Sequence, residues 1–161
     1  AVRSDESLDR DRPASRGTVV AVAPRGHGRH RRLVVVTRER ETGAAVAIDA
    51  ATLWREASVP PLLSSFSEDA LDAARDAAPA LPRALLLDVL PVDWLDRLAR
   101  LECVALDAKH RELTREVIGT AHDNGYRVCT YTPNDPVRVA ELEGWGVDTI
   151  ITDAVDQIPP V

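Results

Sequence analysis

The chain has 161 residues, which is long enough for one domain with a hydrophobic core of its own. Apolar residues make up 45% and charged residues 29% of the chain, as in an ordinary globular protein, and no apolar run reaches the roughly 18 residues of a membrane-spanning helix. The net charge is −6 at pH 7, and the polar start of the chain has no secretory signal pattern, so we expect a cytoplasmic protein.

Residues 1–40 differ in character from the rest of the chain. They contain ten arginines and five acidic residues, whereas the remaining residues contain ten basic and 21 acidic ones. Two short β-branched runs, 18–23 and 33–36, can form strands, and the Gly-, His- and Arg-rich segment between them has the composition of a loop. We therefore predict an atypical Arg-rich segment at 1–40, poorly ordered or unrelated to the later residues, and a domain at 41–161.

After residue 40 the sequence becomes regular. Five apolar runs, each continuous rather than alternating, are typical of strands buried on both faces of a parallel sheet. They lie at 61–65, 83–88, 103–107, 126–131 and 148–152, and their first residues are 22, 20, 23 and 22 positions apart. Helical patterns fill the intervals, and a further helix is predicted at 42–57, so the pattern indicates parallel β/α units with right-handed crossovers. An open doubly wound sheet and part of a (β/α)8 barrel both fit this spacing.

Several residues mark where the helices begin and end. Ser67 and Thr114 are placed to cap the amino ends of two helices, and Asp135 followed by Pro136 begins a third. Gly125 comes after the helix that Thr114 begins, at a position where a left-handed residue ends a helix. These signals locate the helix ends more closely than the apolar pattern alone does.

Polar side chains are concentrated where the predicted strands end. In both architectures ligands bind at the carboxyl ends of parallel strands, so we expect these side chains to converge on one rim that holds a small polar or phosphorylated ligand. The group comprises Ser64, Ser65, Phe66, Asp88, Asp107, Lys109, His110, Tyr131, Thr132, Asn134, Thr152 and Asp153. Within it, Lys109 supplies a point charge for phosphate.

No catalytic constellation is visible among these residues. His110 and His122 are the only histidines after residue 40, and we interpret both as solvated side chains. No Cys/His spacing indicates a zinc site. Cys103 and Cys129 lie in apolar runs, so we predict two buried, reduced thiols.

Five consecutive segments carry a recognisable family pattern: 60–71, 82–88, 92–110, 121–153 and 154–160. The most specific string is G-Y-R-V-C-T-Y-T-P-N-D-P, which opens at Gly125, with W-G-V-D-T-I-I-T-D at 145–153. In these strings the chain resembles the bacterial cytosolic glycerophosphodiester phosphodiesterases. The resemblance implies an α/β protein built as an incomplete (β/α)8 TIM barrel, in which the five runs are strands 4–8 and the helix at 42–57 follows strand 3.

The resemblance implies hydrolysis of a glycerophosphodiester to glycerol 3-phosphate and an alcohol with the help of a divalent metal, calcium or magnesium. In the family, proton transfer belongs to an H-R-G motif after strand 1 and a second His, and the metal is held by an E-x-D motif after strand 2 and an E-I-K motif on strand 3. Val36 and Thr37 stand where the E-I-K acid and base belong, and His30-Arg31 is followed by Arg32 instead of Gly. We therefore predict no catalytic and no metal-binding residue here, and an inactive chain that derives from a truncated or frame-disrupted gene.

The residues that do match the family lie at the predicted rim. The resemblance implies a substrate-binding role for side chains that come after strands 4, 6, 7 and 8. They are Ser65, Phe66, Lys109, Tyr131, Asn134 and Asp153, of which Lys109 is near rather than on a family position. The aromatic ring of Tyr131 would wall the pocket beside the glycerol or alcohol group.

Two other functions are compatible with the sequence. The chain could be a non-catalytic binding module that holds a phosphorylated ligand, or that binds nucleic acid through its basic segment, although that segment has no aromatic residue to stack on bases. An open flavodoxin-like domain would bind a phosphorylated ligand as well. If the barrel is incomplete, the edges of strands 4 and 8 are expected to be unpaired, which favours self-association.

Overall fold

The computed structural model of the protein describes residues 18–22, 32–37, 40–154 and 156–158. Its strands are β1 Thr18–Val22, β2 Arg32–Thr37, β3 Leu62–Ser65, β4 Arg83–Leu87, β5 Ala105–Lys109, β6 Arg127–Tyr131 and β7 Thr149–Ile151. Its helices are α1 Arg40–Leu53, α2 Glu68–Ala77, α3 Trp94–Arg100, α4 Arg115–Asp123 and α5 Pro136–Trp145.

The strands form one sheet in which spatial order follows chain order from β1 to β7. Each neighbouring pair from β2 to β7 is parallel, and β1 is antiparallel to β2. The sheet is curled, and the curl brings Cα atoms of β1 within 8 Å of Cα atoms of β7. A doubly wound sheet reverses its strand order at a switch point, and this sheet does not, so the structure confirms the incomplete α/β barrel and excludes the flavodoxin-like alternative.

The expected open edge at β3 is wrong. Residues 34–37 of β2 pair in parallel with Leu62–Ser65, so β3 has a neighbour on both sides. The physical reason is that the β-branched run in β2 extends the sheet and forms a hairpin-like antiparallel pair with β1. Both β1 and β2 confirm the two short strands predicted near 18–23 and 33–36, and the other residues before Arg40 lie outside the described part of the chain.

Two predicted elements have other boundaries in the structure, and a hydrogen bond accounts for the first difference. The strand expected at 103–107 is β5 at 105–109, because the N–H of Cys103 donates to the carbonyl of Leu98, 3.0 Å away, and so completes the end of α3. The helix expected at 42–57 begins at Arg40 and ends at Leu53.

The helix caps predicted from the sequence are confirmed. The hydroxyls of Ser67 and Thr114 each accept a hydrogen bond of 3.2 Å from the backbone N–H three residues later. The carboxylate of Asp135 accepts one of 2.9 Å from Val137 N–H. Gly125 and Gly146 have φ values of 83° and 97°, which glycine adopts without steric strain.

Apolar side chains pack on both faces of the curled sheet. The outer face meets the helices and is filled by large residues, among them Leu71, Leu85, Leu98, Leu106, Ile118, Val128 and Leu142. The inner face is lined by a smaller group, Leu62, Ala84, Ala105, Cys129 and Ile151. A cavity of about 230 Å³ lies beside this group, and Val59, Leu62, Ala105 and Cys129 are in its wall.

Both cysteines are buried thiols, as the sequence predicts. Cys103 lies in the outer core, where burial raises the pKa of its thiol to about 12. The thiol of Cys103 therefore stays protonated and inert at neutral pH.

Shortening a side chain of the outer core should destabilise the fold by a predictable amount. Leu106 on β5 is fully buried, so Leu106→Ala should lower the free energy of unfolding by about 2–5 kcal/mol, measured by urea denaturation. Leu53→Ala is the matched control, since that side chain is 73% exposed on α1 and its loss should change stability by less than about 0.5 kcal/mol. Equal losses in the two variants would contradict the assignment of the core to the outer face.

Candidate substrate-binding rim

The carboxyl ends of β3 to β7 lie along one edge of the curled sheet, and we call the residues at and just after these strand ends the rim. Parallel pairing in register brings them together, since Lys109 at the end of β5 lies opposite Tyr131 at the end of β6. The pairing of Ser65 with Leu85 places Phe66 and Asp88 at the same edge.

Four rim side chains form a group that we call the aromatic corner: Phe66, Asp88, Lys109 and Tyr131. The rings of Phe66 and Tyr131 meet edge to face, with centroids 6.0 Å apart and planes at 89°. The Tyr131 hydroxyl lies 3.0 Å from the Leu87 carbonyl oxygen and 3.1 Å from Asp88 Oδ1, and Lys109 Nζ lies 3.4 Å from the same carboxylate oxygen. The structure thus brings three of the sequence-predicted residues together around Asp88.

The electrostatics of the corner keep the tyrosine protonated. Burial raises the pKa of Tyr131 above its ordinary value, and the hydrogen bond and negative charge of Asp88 raise it further. The phenol therefore acts as a hydrogen-bond donor to its two neighbouring acceptors. The salt bridge between Lys109 and Asp88 is solvent-accessible, with side-chain exposures of 45% and 61%.

A second rim group joins the loops after β6 and β7. Asn134 Oδ1 accepts hydrogen bonds from the Thr152 hydroxyl at 2.9 Å and from the Asp153 N–H at 3.1 Å. The Thr152 hydroxyl in turn accepts one of 3.1 Å from the Ala154 N–H. Asn134 therefore fixes the two loops to each other, and the exposed carboxylate of Asp153 lies beside it.

Ser65 takes a supporting position. Its side chain is fully buried, and its hydroxyl accepts a hydrogen bond of 3.0 Å from the N–H of Ser67. Ser65 therefore shapes the turn between β3 and α2 that presents Phe66 at the rim.

Sequence reasoning placed Ser64 and Asp107 at the rim, but it missed the bond that they form inside the barrel. The Ser64 hydroxyl donates to Asp107 Oδ2 at 2.9 Å, and both residues are buried. The other carboxylate oxygen, Oδ1, is buried without a hydrogen-bond partner among the described residues. Burial raises the pKa of Asp107 to about 7, although the hydrogen bond from Ser64 lowers it in part. An acid inside a continuous apolar strand was the only sequence signal for this pair.

The two histidines have different surroundings. His122 lies at the end of α4, away from the rim, and its Nε2 is 2.8 Å from the carboxylate of Asp148, which also binds Arg127 at 2.8 Å. The solvated histidine expected there is therefore a paired one. His110 follows β5, and burial together with the charge of Arg138 lowers its pKa, so it is neutral at pH 7.

The described residues do not fit a divalent metal. No group of three or more His, Cys, Asp or Glu side chains within them is placed to hold one. Two acids at or near the corner already have partners: Asp88 forms a salt bridge with Lys109, and Asp107 accepts a hydrogen bond from Ser64.

A model of the glycerophosphoryl diester phosphodiesterase family matches residues 34–157. The chain belongs to this family. The match begins inside β2 and continues past β7, so it covers all five strands that the resemblance assigned to the barrel.

Individual relatives agree with this assignment. The YhdW protein of Bacillus subtilis (strain 168), named as a glycerophosphodiester phosphodiesterase, is 29% identical over 108 residues, which are 63% of this chain and 43% of YhdW. A glycerophosphoryl diester phosphodiesterase structure from Silicibacter pomeroyi DSS-3 has a TM-score of 0.64 and 26% identity, over 73% of this chain and 42% of that one.

A phosphodiesterase from Oleispira antarctica, solved with the product sn-glycerol-3-phosphate, shares the fold with a TM-score of 0.66 at 23% identity. The alignment covers 74% of this chain and 50% of that protein. The chain therefore spans about half the length, or less, of the relatives that it matches. None of the described helices is long and apolar enough to cross a bilayer.

The buried carboxyl group predicts a specific dependence of stability on pH. The pKa of Asp107 is about 7 in the folded protein against 3.8 for an exposed Asp, so the folded state holds the proton more tightly between these values. The stabilisation that comes from the protonated Asp107 carboxyl is therefore complete below about pH 4 and is lost as the pH rises through 7. The free energy of unfolding falls by no more than about 1.4 kcal/mol per pH unit in this range. Asp107→Asn should remove this loss.

The measurement is the free energy of urea unfolding of the wild type and of Asp107→Asn at several pH values from about 3 to 8, a range that spans the two pKa values. The difference between the two proteins isolates Asp107, because all other titrating groups are shared. Asp123→Asn, an exposed acid at the end of α4, is the control and should keep the wild-type profile. A difference that stays constant with pH would contradict a raised pKa at Asp107.

Proposed function

We propose that this chain binds glycerophosphodiesters and their product glycerol 3-phosphate at the rim, and that it does not hydrolyse the diester by itself. The observation that carries the proposal is the family match over residues 34–157, which includes every strand that contributes to the aromatic corner. The glycerol 3-phosphate in the Oleispira antarctica relative supports this ligand class.

Five of the six predicted substrate-binding residues have a distinct task in this proposal, and the buried Ser65 supports the turn between β3 and α2. Lys109, the only lysine of the chain, attracts the phosphate as a half-exposed point charge. Phe66 and Tyr131 wall the pocket with their rings. Asn134 and Asp153 close its other side, because the Asn134 carbonyl oxygen joins the loops after β6 and β7 and leaves the amide nitrogen as its remaining donor group.

The absence of hydrolysis follows from the missing motifs. Phosphodiester cleavage in the family needs a divalent metal, calcium or magnesium, and two histidines, and we infer that these ligands and proton carriers must come from residues outside this chain of 161. Within the corner, the groups present can hold and orient a phosphate but offer no proton-transfer pair, since Tyr131 stays protonated and Lys109 is already paired with Asp88.

We place this function in the cytoplasm, in lipid and glycerol metabolism. The self-association expected from open sheet edges has little room, since β1 and β7, which end the sheet order, have Cα atoms within 8 Å of each other. The alternative of a nucleic-acid-binding arm rests on residues 1–40, most of which lie outside the described part of the chain. Salt-dependent DNA binding that is lost on deletion of that segment would favour it.

The ligand assignment predicts that Lys109 controls phosphate binding. Titration of the purified chain with glycerol 3-phosphate, followed by NMR, should show weak saturable binding, and Lys109→Gln should weaken it about tenfold because a charge-assisted hydrogen bond is lost. Reductive methylation with ¹³C formaldehyde labels this single lysine, so its own resonance should move on binding. Arg55→Gln is the matched control, since this cation is 73% exposed and pairs with the adjacent Glu56.

The second half of the proposal is tested by enzymatic assay. Release of glycerol 3-phosphate from glycerophosphocholine should stay at the EDTA background when calcium or magnesium is added. Clear metal-dependent turnover by the purified chain would overturn the assignment of inactivity. Absence of any glycerol 3-phosphate binding would remove the proposed function altogether.

A further inference from the structure

The aromatic corner contains an acid that the predicted substrate-binding set lacks. We propose that Asp88 is a specificity-determining residue: together with the rings of Phe66 and Tyr131 it recognises a positively charged alcohol group. The chain then selects zwitterionic glycerophosphodiesters, whose alcohol carries an ammonium, over diesters of uncharged polyols. This inference rests on the proposed function and names the substrate class within it.

The position of Asp88 is fixed although the residue is exposed. Its carboxylate oxygen Oδ1 lies 3.1 Å from the Tyr131 hydroxyl, and that hydroxyl is itself held by the Leu87 carbonyl at 3.0 Å. The Asp88 side chain is 61% exposed, so a ligand can reach it. A carboxylate that is oriented by a partly buried partner and open to solvent is suited to binding a cation.

The two rings give the cation a second set of contacts. Phe66 and Tyr131 stand at 89° to each other, which forms a corner with an aromatic face on one side and a ring edge on the other. Phe66 is 37% exposed, so part of its ring is available to a ligand. An ammonium, and above all a quaternary one that has no N–H to donate, is bound by aromatic faces next to a carboxylate.

The salt bridge between Asp88 and Lys109 places a negative and a positive charge side by side, as a zwitterionic ligand requires. The two charged atoms are 3.4 Å apart and both side chains are about half exposed, so opening the pair costs little. A zwitterionic diester can replace it by placing its phosphate on Lys109 and its ammonium on Asp88. A diester of an uncharged polyol places its phosphate on Lys109 but leaves Asp88 without a cationic partner. The negative charges of Asp88 and the phosphate then repel each other.

The test compares two diesters that differ in the charge of the alcohol. Glycerophosphocholine and glycerophosphoglycerol are titrated into the full chain in EDTA, and binding is followed through the ¹³C-methylated Lys109 resonance. We expect glycerophosphocholine to bind about fivefold more tightly, as one half-exposed cation site allows. In Asp88→Asn the ratio of the two affinities should fall to about two, because only the rings still favour the cation, whereas Asp123→Asn, the same change at the carboxyl end of α4 and away from the rim, should keep the wild-type ratio.

The outcomes separate this inference from the proposed function. Equal affinities of the wild type for the two diesters would overturn the selection of a cationic alcohol while leaving binding at the rim intact. A preference that keeps its wild-type size in Asp88→Asn would overturn the role of Asp88. Failure of both diesters and of glycerol 3-phosphate to bind would instead remove the proposed function.

Discussion

The parallel register of the sheet is the constraint on which the rim depends. Lys109 stands opposite Tyr131, and Asp107 opposite Cys129, because β5 and β6 pair without a slip. A shift of one residue would turn every side chain of a strand to the other face. Asp107 would then face the helices, and Lys109 would leave the corner that Tyr131 and Asp88 build. The arrangement of the rim is therefore a consequence of backbone pairing before it is a consequence of any side chain.

The same register places a carboxyl group where the inner face is otherwise apolar. The inner layer contains small residues, Ala84 and Ala105, and Asp107 is itself fully buried. An ionised carboxylate with one partnered oxygen is costly in such a place, and the raised pKa expresses that cost. The bond from Ser64 reduces the cost without removing it.

Much of the fold could be predicted because its signals are local. The continuous apolar runs located five strands, and Ser67, Thr114 and Asp135 located three helix starts through hydrogen bonds that span two or three residues. The family strings then resolved the architecture that spacing left open. Local signals placed the start of β5 wrongly. The apolar run begins at Cys103, but the N–H of Cys103 completes the end of α3 and does not take part in β5.

The contacts of the site could not be predicted, because they join residues far apart in the chain. Ser64 and Asp107 are 43 positions apart, and so are Asp88 and Tyr131. Nothing in a strand pattern states which residue of the next strand lies opposite, since that depends on the curl and register of the whole sheet. The pairing of β2 with β3 was missed for the same reason, as it crosses an entire helix.

The catalytic motifs of the family and the residues of the aromatic corner lie on different strands of the barrel. The resemblance assigns proton transfer and metal binding to strands 1–3, whereas the aromatic corner is built from the ends of β3 to β6, which correspond to strands 4–7. Each group reaches the rim from its own strand, so loss of the first set leaves the second in register. In the proposed function, specificity and catalysis therefore rest on different parts of the family's sequence.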